Sequence, residues 1–271
     1  MNTIISGCVR NCEMYLKNVF ENIKKIQEID ALNVKQIVLA YDESTDNTLF
    51  ALEELKKEFN IEILINKTPL TNERTQNICK ARNNLLQYIN NLEYDVEYMI
   101  MMDFDDVCAK PMFTNVLVEV LAESALWDCV SFNNERYYDF WALSIGDFQY
   151  SCWHWNDSHK VIRLMHEYLQ EQLNEACANY IECDSAFNGF AIYKYKRFKG
   201  CVYKSRMNDC TIFNVKNVHD KYGVIPTAPS YDCEHRYYHL IAKKNNEAKI
   251  LICKNSLFPM YTGSHVHFLG V

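Results

Sequence analysis

The first hundred residues alternate short apolar runs with segments whose apolar positions recur every three to four residues. Thr3 to Val9 is an apolar run that reads as a strand, and Glu13 to Glu28 places Leu16, Val19, Phe20, Ile23 and Ile26 on one helical stripe. Lys35 to Tyr41 predicts a second strand, closed by the polar turn Asp42 to Asn47. Asp46 stands where an N-cap belongs, ahead of a helix carrying Leu49, Leu52, Leu55 and Phe59. Ile61 to Ile65 reads as a third strand. A long helix from about Asn72 to Asn91 follows, with Ile78, Ala81, Leu85, Ile89 and Leu92 in register. Tyr98 to Met102 is a short apolar strand running straight into Asp103, and its methionines read as core.

Uninterrupted apolar strands alternating with amphipathic helices predict an α/β fold with a mostly parallel, Rossmann-like sheet sandwiched by helices. Ligands of such sheets sit beyond the carboxyl ends of the strands. The polar ends of strands one, two and four are therefore expected to converge on one crevice. The second half is less regular. A helix is expected over Pro111 to Glu123 and a strand over Asp128 to Phe132, before the aromatic stretch Tyr137 to Trp155. A helix over His159 to Cys177 and strand-like runs at Phe187 to Tyr195 and Lys249 to Cys253 follow. No repeat, low-complexity tract or linker interrupts the chain. The expectation is one domain over 1–271, with a nucleotide-binding half (1–110) and an irregular acceptor-binding half (111–271).

Net charge narrows the partners. At −7 with a pI near 5.6, the chain lacks the basic surplus that replaces phosphate counterions, which argues against nucleic acid. No apolar run reaches the ~18–20 residues that span a bilayer, and Met1 to Val9 reads as a strand rather than a signal peptide. The 12 cysteines are scattered without a CxxC pair, so a zinc ribbon is not expected. Reduced thiols and a cytoplasmic setting are the expectation, with sequons at Asn66 and Asn156 as weak counter-indications.

Chemistry concentrates at strand ends. Asp103, Asp105 and Asp106 follow an apolar strand, where packing does not require acids. Crowded carboxylates repel unless a cation intervenes, and Mg²⁺ or Mn²⁺ accept carboxylate oxygens while leaving room for substrate phosphates. The plainer explanation is a turn or a helix start, where Asp is common. Glu43, in the turn after the second strand, has no capping duty and is free to accept hydrogen bonds from a base or ribose. Arg10 ends the first strand. Arg74 and Arg82 lie eight apart on the long helix and so share a face; arginines facing a crevice suit a diphosphate, though surface salt bridging is an equal alternative.

Taken in order, Cys8-Val9-Arg10-Asn11-Cys12, Tyr41 to Thr48, Arg74 with Ala81-Arg82-Asn83, and Asp103-Phe104-Asp105-Asp106 resemble a GT-A fold glycosyltransferase. Tyr137-Tyr138-Asp139 with Trp141, Phe187 to Tyr193, and Cys233-Glu234-His235 strengthen the resemblance, which extends over about residues 3 to 255. The pattern is similar to the group of capsule mannosyltransferase-like proteins and related enzymes of large DNA viruses and bacteria.

The resemblance implies a UDP- or GDP-linked sugar donor. It implies that Arg10, Glu43 and Arg82 contact the nucleotide, with Asp103 near the ribose and with Asp42 and Arg74 in the donor-binding set. Asp105 and Asp106 would hold Mn²⁺ or Mg²⁺ against the diphosphate. Tyr138, Asp139 and Trp141 would line the sugar or acceptor pocket. Glu234 and His235 are the candidates for activating a glycan or protein hydroxyl, with Asp184 as rival. His265 and His267 would bring an imidazole to the metal, unless they are a surface tail.

Two other readings stand beside a metal-dependent glycosyltransferase. A nucleotidyltransferase also uses a βα sheet and metal-binding acids, but Gly7 is the only glycine near the first strand end, so a glycine-rich phosphate loop is lacking. A non-catalytic sugar or nucleotide binder on the same fold is opposed by the intact acids at Asp103, Asp105, Asp106 and Glu234.

Overall fold

A computed structural model describes residues 1–134, 137–149, 151–175, 179–206, 215–227 and 231–259. Strands β1 (Asn2–Val9), β2 (Asn33–Tyr41), β3 (Ile61–Ile65) and β4 (Tyr98–Met102) come from the first half. Strands β5 (Cys129–Asn133), β6 (Tyr180–Cys183), β7 (Phe190–Lys194) and β8 (Ile250–Ser256) come from the second. All belong to one eight-stranded sheet in the order β3-β2-β1-β4-β7-β5-β8-β6. β1 to β4 pair in parallel, as the apolar runs require. β7 enters antiparallel between β4 and β5, and β6 closes the edge antiparallel to β8. Both halves thus share one sheet.

The helices are α1 (Glu13–Gln27), α2 (Thr48–Leu55), α3 (Arg74–Asn90), α4 (Thr114–Ala122), α5 (Ser158–Glu175), α6 (Tyr195–Phe198), α7 (Val215–Tyr222) and α8 (Glu234–Asn246). They cover both faces. Ile5, Ile37, Leu39, Ile100 and Met102 point to a core with α1, α2 and α4. Ile4, Val38, Ala40, Met99 and Met101 point to the other core with α3, α5 and α8. The period-two alternation of the strands is what feeds two cores at once. No helix among the described residues is long and apolar enough to cross a membrane.

Three local expectations are corrected, and one helix is added. Asn47 rather than Asp46 precedes α2; Asp46 instead accepts the Thr48 N–H at 3.0 Å and, from across the loop, the Glu13 N–H at 3.1 Å, tying α1 to α2. The strand expected from Phe187 begins only at Phe190, because Asn188 and Gly189 take left-handed φ values of 53° and 84°. The helix starting at Thr114 leaves Pro111 to Phe113 outside. α8 was not expected at all: its Glu234, His235, Arg236 and His239 resemble a solvated run but are buried.

Candidate active site

The carboxyl ends of β1, β2 and β4 open onto a cavity of about 760 Å³. Gly7 makes its floor possible. A Cβ there would lie 2.5 Å from the Met102 carbonyl oxygen and 2.5 Å from the Phe104 ring, so only glycine lets β1 pass this close to the turn after β4. Beyond β1, the Asn11 side chain accepts the Thr45 N–H at 2.7 Å and its own N–H donates to Ser44 Oγ at 3.1 Å. Those bonds lock the β1 and β2 end loops together.

Arg10, Asp42, Arg74, Arg82, Asp103, Asp105 and Asp106 all line the cavity. Asp42 accepts from Asn66 Nδ2 at 2.8 Å. The Asp103 N–H donates to the Gly189 carbonyl at 2.9 Å, which anchors the acidic turn to the antiparallel neighbour β7. Burial, and then the charge of Asp105, push the Asp103 carboxyl well above its ordinary range, with Arg82 opposing at 3.6 Å. Cys8 and Cys12 also line the cavity; burial pushes both thiols up to about 12, so they are protonated and not nucleophiles.

Arg82 is buried against the cavity wall at 5% exposure. Its Nη1 contacts both Glu234 Oε1 and His235 Nε2, and its guanidinium lies over the Phe187 ring at 4.9 Å. Burial opposes the charge, but Glu234 together with Cys8, Tyr203 and Asp103 outweighs it and holds Arg82 firmly protonated. His235 stacks on Phe187 with ring centroids 3.9 Å apart. Burial and then Arg82 depress its pKa well below the ordinary value, so the imidazole is neutral.

Tyr138, Asp139 and Trp141 form the facing wall. Their segment hangs from Asn188: its Oδ1 accepts the N–H groups of Tyr138 and Asp139, both at 3.3 Å, and its Nδ2 donates to Phe132 O at 3.0 Å. Gly189 beside it favours glycine because its φ of 84° is one that L side chains rarely adopt, and a Cβ would also meet the Tyr138 hydroxyl at 2.6 Å and Val107 Cγ1 at 2.7 Å. Burial raises the Asp139 carboxyl to about 6, against the opposing hydrogen bond from the Ala142 N–H at 3.1 Å. The indole N–H of Trp141 is buried with no hydrogen-bond partner.

Glu43 is exposed and absent from the cavity wall; Arg10 Nε donates to its carbonyl at 3.2 Å. Asp184 does not reach the cavity either, being paired with Lys243 at 2.9 Å. His265 and His267 lie outside the described residues. Sequence reasoning gave no role to Phe187 or Asn188, which the structure brings to or beneath the cavity; Trp153, read from the sequence as either a sugar-stacking ring or packing, lines it. The Asn-Gly pair was the available signal for Asn188, because that dipeptide marks a turn. Trp155 and His154, whose residue types alone fit either sugar stacking or packing, are buried.

Residues 7–195 match the family model described as Glycosyl transferase family 2. The chain belongs to glycosyl transferase family 2. The matched span carries both cavity walls up to β7, and the fold agrees: the S. aureus TarS fragment 1–349 superposes with a TM-score of 0.50 at 13% identity, covering 95% of this chain and 59% of that one. The same fragment in complex with UDP gives 0.52 at 13% identity, covering 97% and 61%. The longer TarS chain gives 0.52 at 12% identity, covering 99% and 38%. This family 2 chain therefore spans less than two thirds of the TarS chains it matches. No curated protein matches the sequence. The two parts of the chain line the cavity with different residues. β1 to β4 supply the arginines and most acids, and the later segments supply the aromatic face with Asp139 and Glu234.

Proposed function

We propose that the cavity binds a UDP- or GDP-linked sugar together with a divalent cation and transfers the sugar to a hydroxyl acceptor. The observation that carries this reading is the placement of Asp103, Asp105 and Asp106 with Arg10 and Arg74 around one cavity at the strand ends. The elevated Asp103 carboxyl marks a surplus of negative charge that a cation would offset. Among the described residues, no group of three or more His, Cys, Asp or Glu side chains forms a metal site by itself. That donor set fits Mg²⁺ or Mn²⁺ all the same, since these ions are held by one or two carboxylates plus substrate phosphates. Asp105 and Asp106 are the side chains assigned to hold it. Once bound, the ion supplies Lewis-acid stabilisation of the departing diphosphate.

This chain's own residues do the rest. Arg10 and Arg74 face the phosphates, Asp42 the nucleoside, and Tyr138 with Trp141 the sugar. Within the family, the ordered motifs support a closer placement with the capsule mannosyltransferase-like and large-DNA-virus group. The described cysteines are all free thiols, which supports a reducing, cytoplasmic setting.

The test is thermal unfolding with UDP, GDP, CMP or ATP, each with Mn²⁺ or with EDTA. TarS in complex with UDP makes UDP the first ligand to try. A ligand at about a hundred times its Kd adds roughly 2.7 kcal/mol, or about 2–4 °C per kcal/mol for a chain of this size. A manganese-dependent shift with one diphosphate supports the reading. No shift with any nucleotide overturns it, and a shift with ATP alone favours nucleotidyl transfer.

A further inference from the structure

A sugar hydroxyl attacking an anomeric carbon must lose its proton, so the acceptor side needs a base with an open lone pair. The later segments line the cavity with two carboxylates and one imidazole, Asp139, Glu234 and His235; burial keeps Tyr138, Cys152 and Cys233 beside them protonated. Two of the first three are already committed. Glu234, 4% exposed, is paired with Arg82, and protonating it would take the nearer of two counter-charges from a buried guanidinium, leaving Asp103 at 3.6 Å. His235 presents Nε2 to the same Arg82 nitrogen, so an imidazolium there would face a cation at contact distance.

Asp139 differs on each count. It is partly exposed in the cavity wall and makes no ion pair with any described residue. Its Oδ1 receives one N–H, from Ala142 at 3.1 Å, and its backbone N–H is pinned by Asn188 at 3.3 Å. Oδ2 is left open on a fixed support. The charged groups acting on Asp139 are Glu234 on α8, Arg82 and Arg74 on α3, and Asp103 after β4. Burial is the largest influence and raises its proton affinity toward neutrality, Glu234 adding to it and the two arginines opposing.

We propose that Asp139 is the catalytic base that takes the acceptor hydroxyl's proton, while Glu234 and Arg82 are positioning residues that shape the wall beside it. The inference rests on the nucleotide-sugar reading above. In the step, the hydroxyl oxygen forms a bond to the anomeric carbon and its O–H bond breaks toward Asp139 Oδ2. The bond from the anomeric carbon to the diphosphate oxygen breaks, and the nucleoside diphosphate leaves with the electron pair. Asp139 then returns the proton to solvent.

The experiment compares full-length wild type, Asp139→Asn, Asp139→Glu and Glu234→Gln. Nucleoside diphosphate release from the donor sugar is followed between pH 5 and 8, alongside the manganese-dependent thermal shift with the diphosphate. Asp139→Asn is expected to keep the thermal shift, to lose about 10²-fold or more in turnover, and to lose the acid limb near pH 6. Asp139→Glu should recover part of the rate, and Glu234→Gln should keep the acid limb. In parallel, the carboxyl ¹³C resonance absent from Asp139→Asn should titrate in the wild type near the expected value of about 6. Asp139→Asn within tenfold of wild type overturns the assignment, as does an acid limb erased only by Glu234→Gln. So does an Asp139 carboxyl titrating in the ordinary range, a result that needs no turnover. Loss of the wild-type thermal shift instead overturns the donor reading, so the two failures are distinguishable.

Discussion

Arg82 on α3 and Glu234 at the start of α8 form an ion pair buried beside the cavity, although 152 positions separate them in the chain. The pair joins α3, which packs on β1 and β2, to α8 from the second half, so it belongs to both stability and cavity shape. Arg82→Ala strands Glu234 as an uncompensated buried charge and is expected to destabilise the fold by about 3–5 kcal/mol. Arg82→Lys should lose less, retaining the charge but not the flat guanidinium over Phe187. Urea unfolding measures both; equal small losses would contradict the pairing.

Gly7→Ala tests how tightly β1 passes the acidic turn. The added Cβ has backbone on one side, the Met102 carbonyl, and a buried ring, Phe104, on the other. Neither gives way cheaply, so a loss of about 1–3 kcal/mol is expected. Donor affinity should weaken as well, because the segment pushed aside leads into Asp103. A stable variant with full diphosphate affinity would show that this contact does not set the site.

Replacing both Asp105 and Asp106 by Ala should abolish the manganese dependence of the diphosphate thermal shift. Unfolding without ligand should change little, or improve, since crowded acids are removed. An undiminished manganese effect in the double variant would remove these residues from the metal assignment.

Buried histidines set an acid limit on stability. Burial lowers His154 to about 4, with Asp232 opposing, and lowers His239 to about 3, with Arg82 acting in the same direction. Each folded-state value lies below the unfolded one, so the unfolded chain binds more protons in between. Stability from these groups is present above about pH 6.5 and falls as pH drops toward about 4. The slope is at most about 1.4 kcal/mol per pH unit for each histidine. Asp139, raised to about 6, works in the opposite sense between about pH 4 and 6. The clean readout is therefore the difference between wild type and His239→Gln in urea midpoints at pH 7, 6 and 5. That difference should shrink on acidification, and a constant difference would show that His239 titrates normally.

The alternation of strand and helix through Met102 was legible in residue order, because hydrophobic period is a local property and burial on two faces leaves continuous apolar runs. The convergence of Arg10, Asp42 and Asp103 was legible for the same reason, since parallel connection places successive strand ends on one edge. The roles of Arg82, Glu234 and Asp139 were not. A charged residue reads as solvent-facing until its partner is known, and Glu234 finds that partner 152 positions away. α8 escaped notice on the same ground, its buried Arg236 being satisfied by Asp232 and by Ser144 of a distant segment. Asp184, equally acidic in the sequence, is neutralised by Lys243 away from the cavity. Local pattern thus specified the scaffold and the edge where the site lies. Long-range pairing decided which acids are spent on structure and which one keeps an open lone pair.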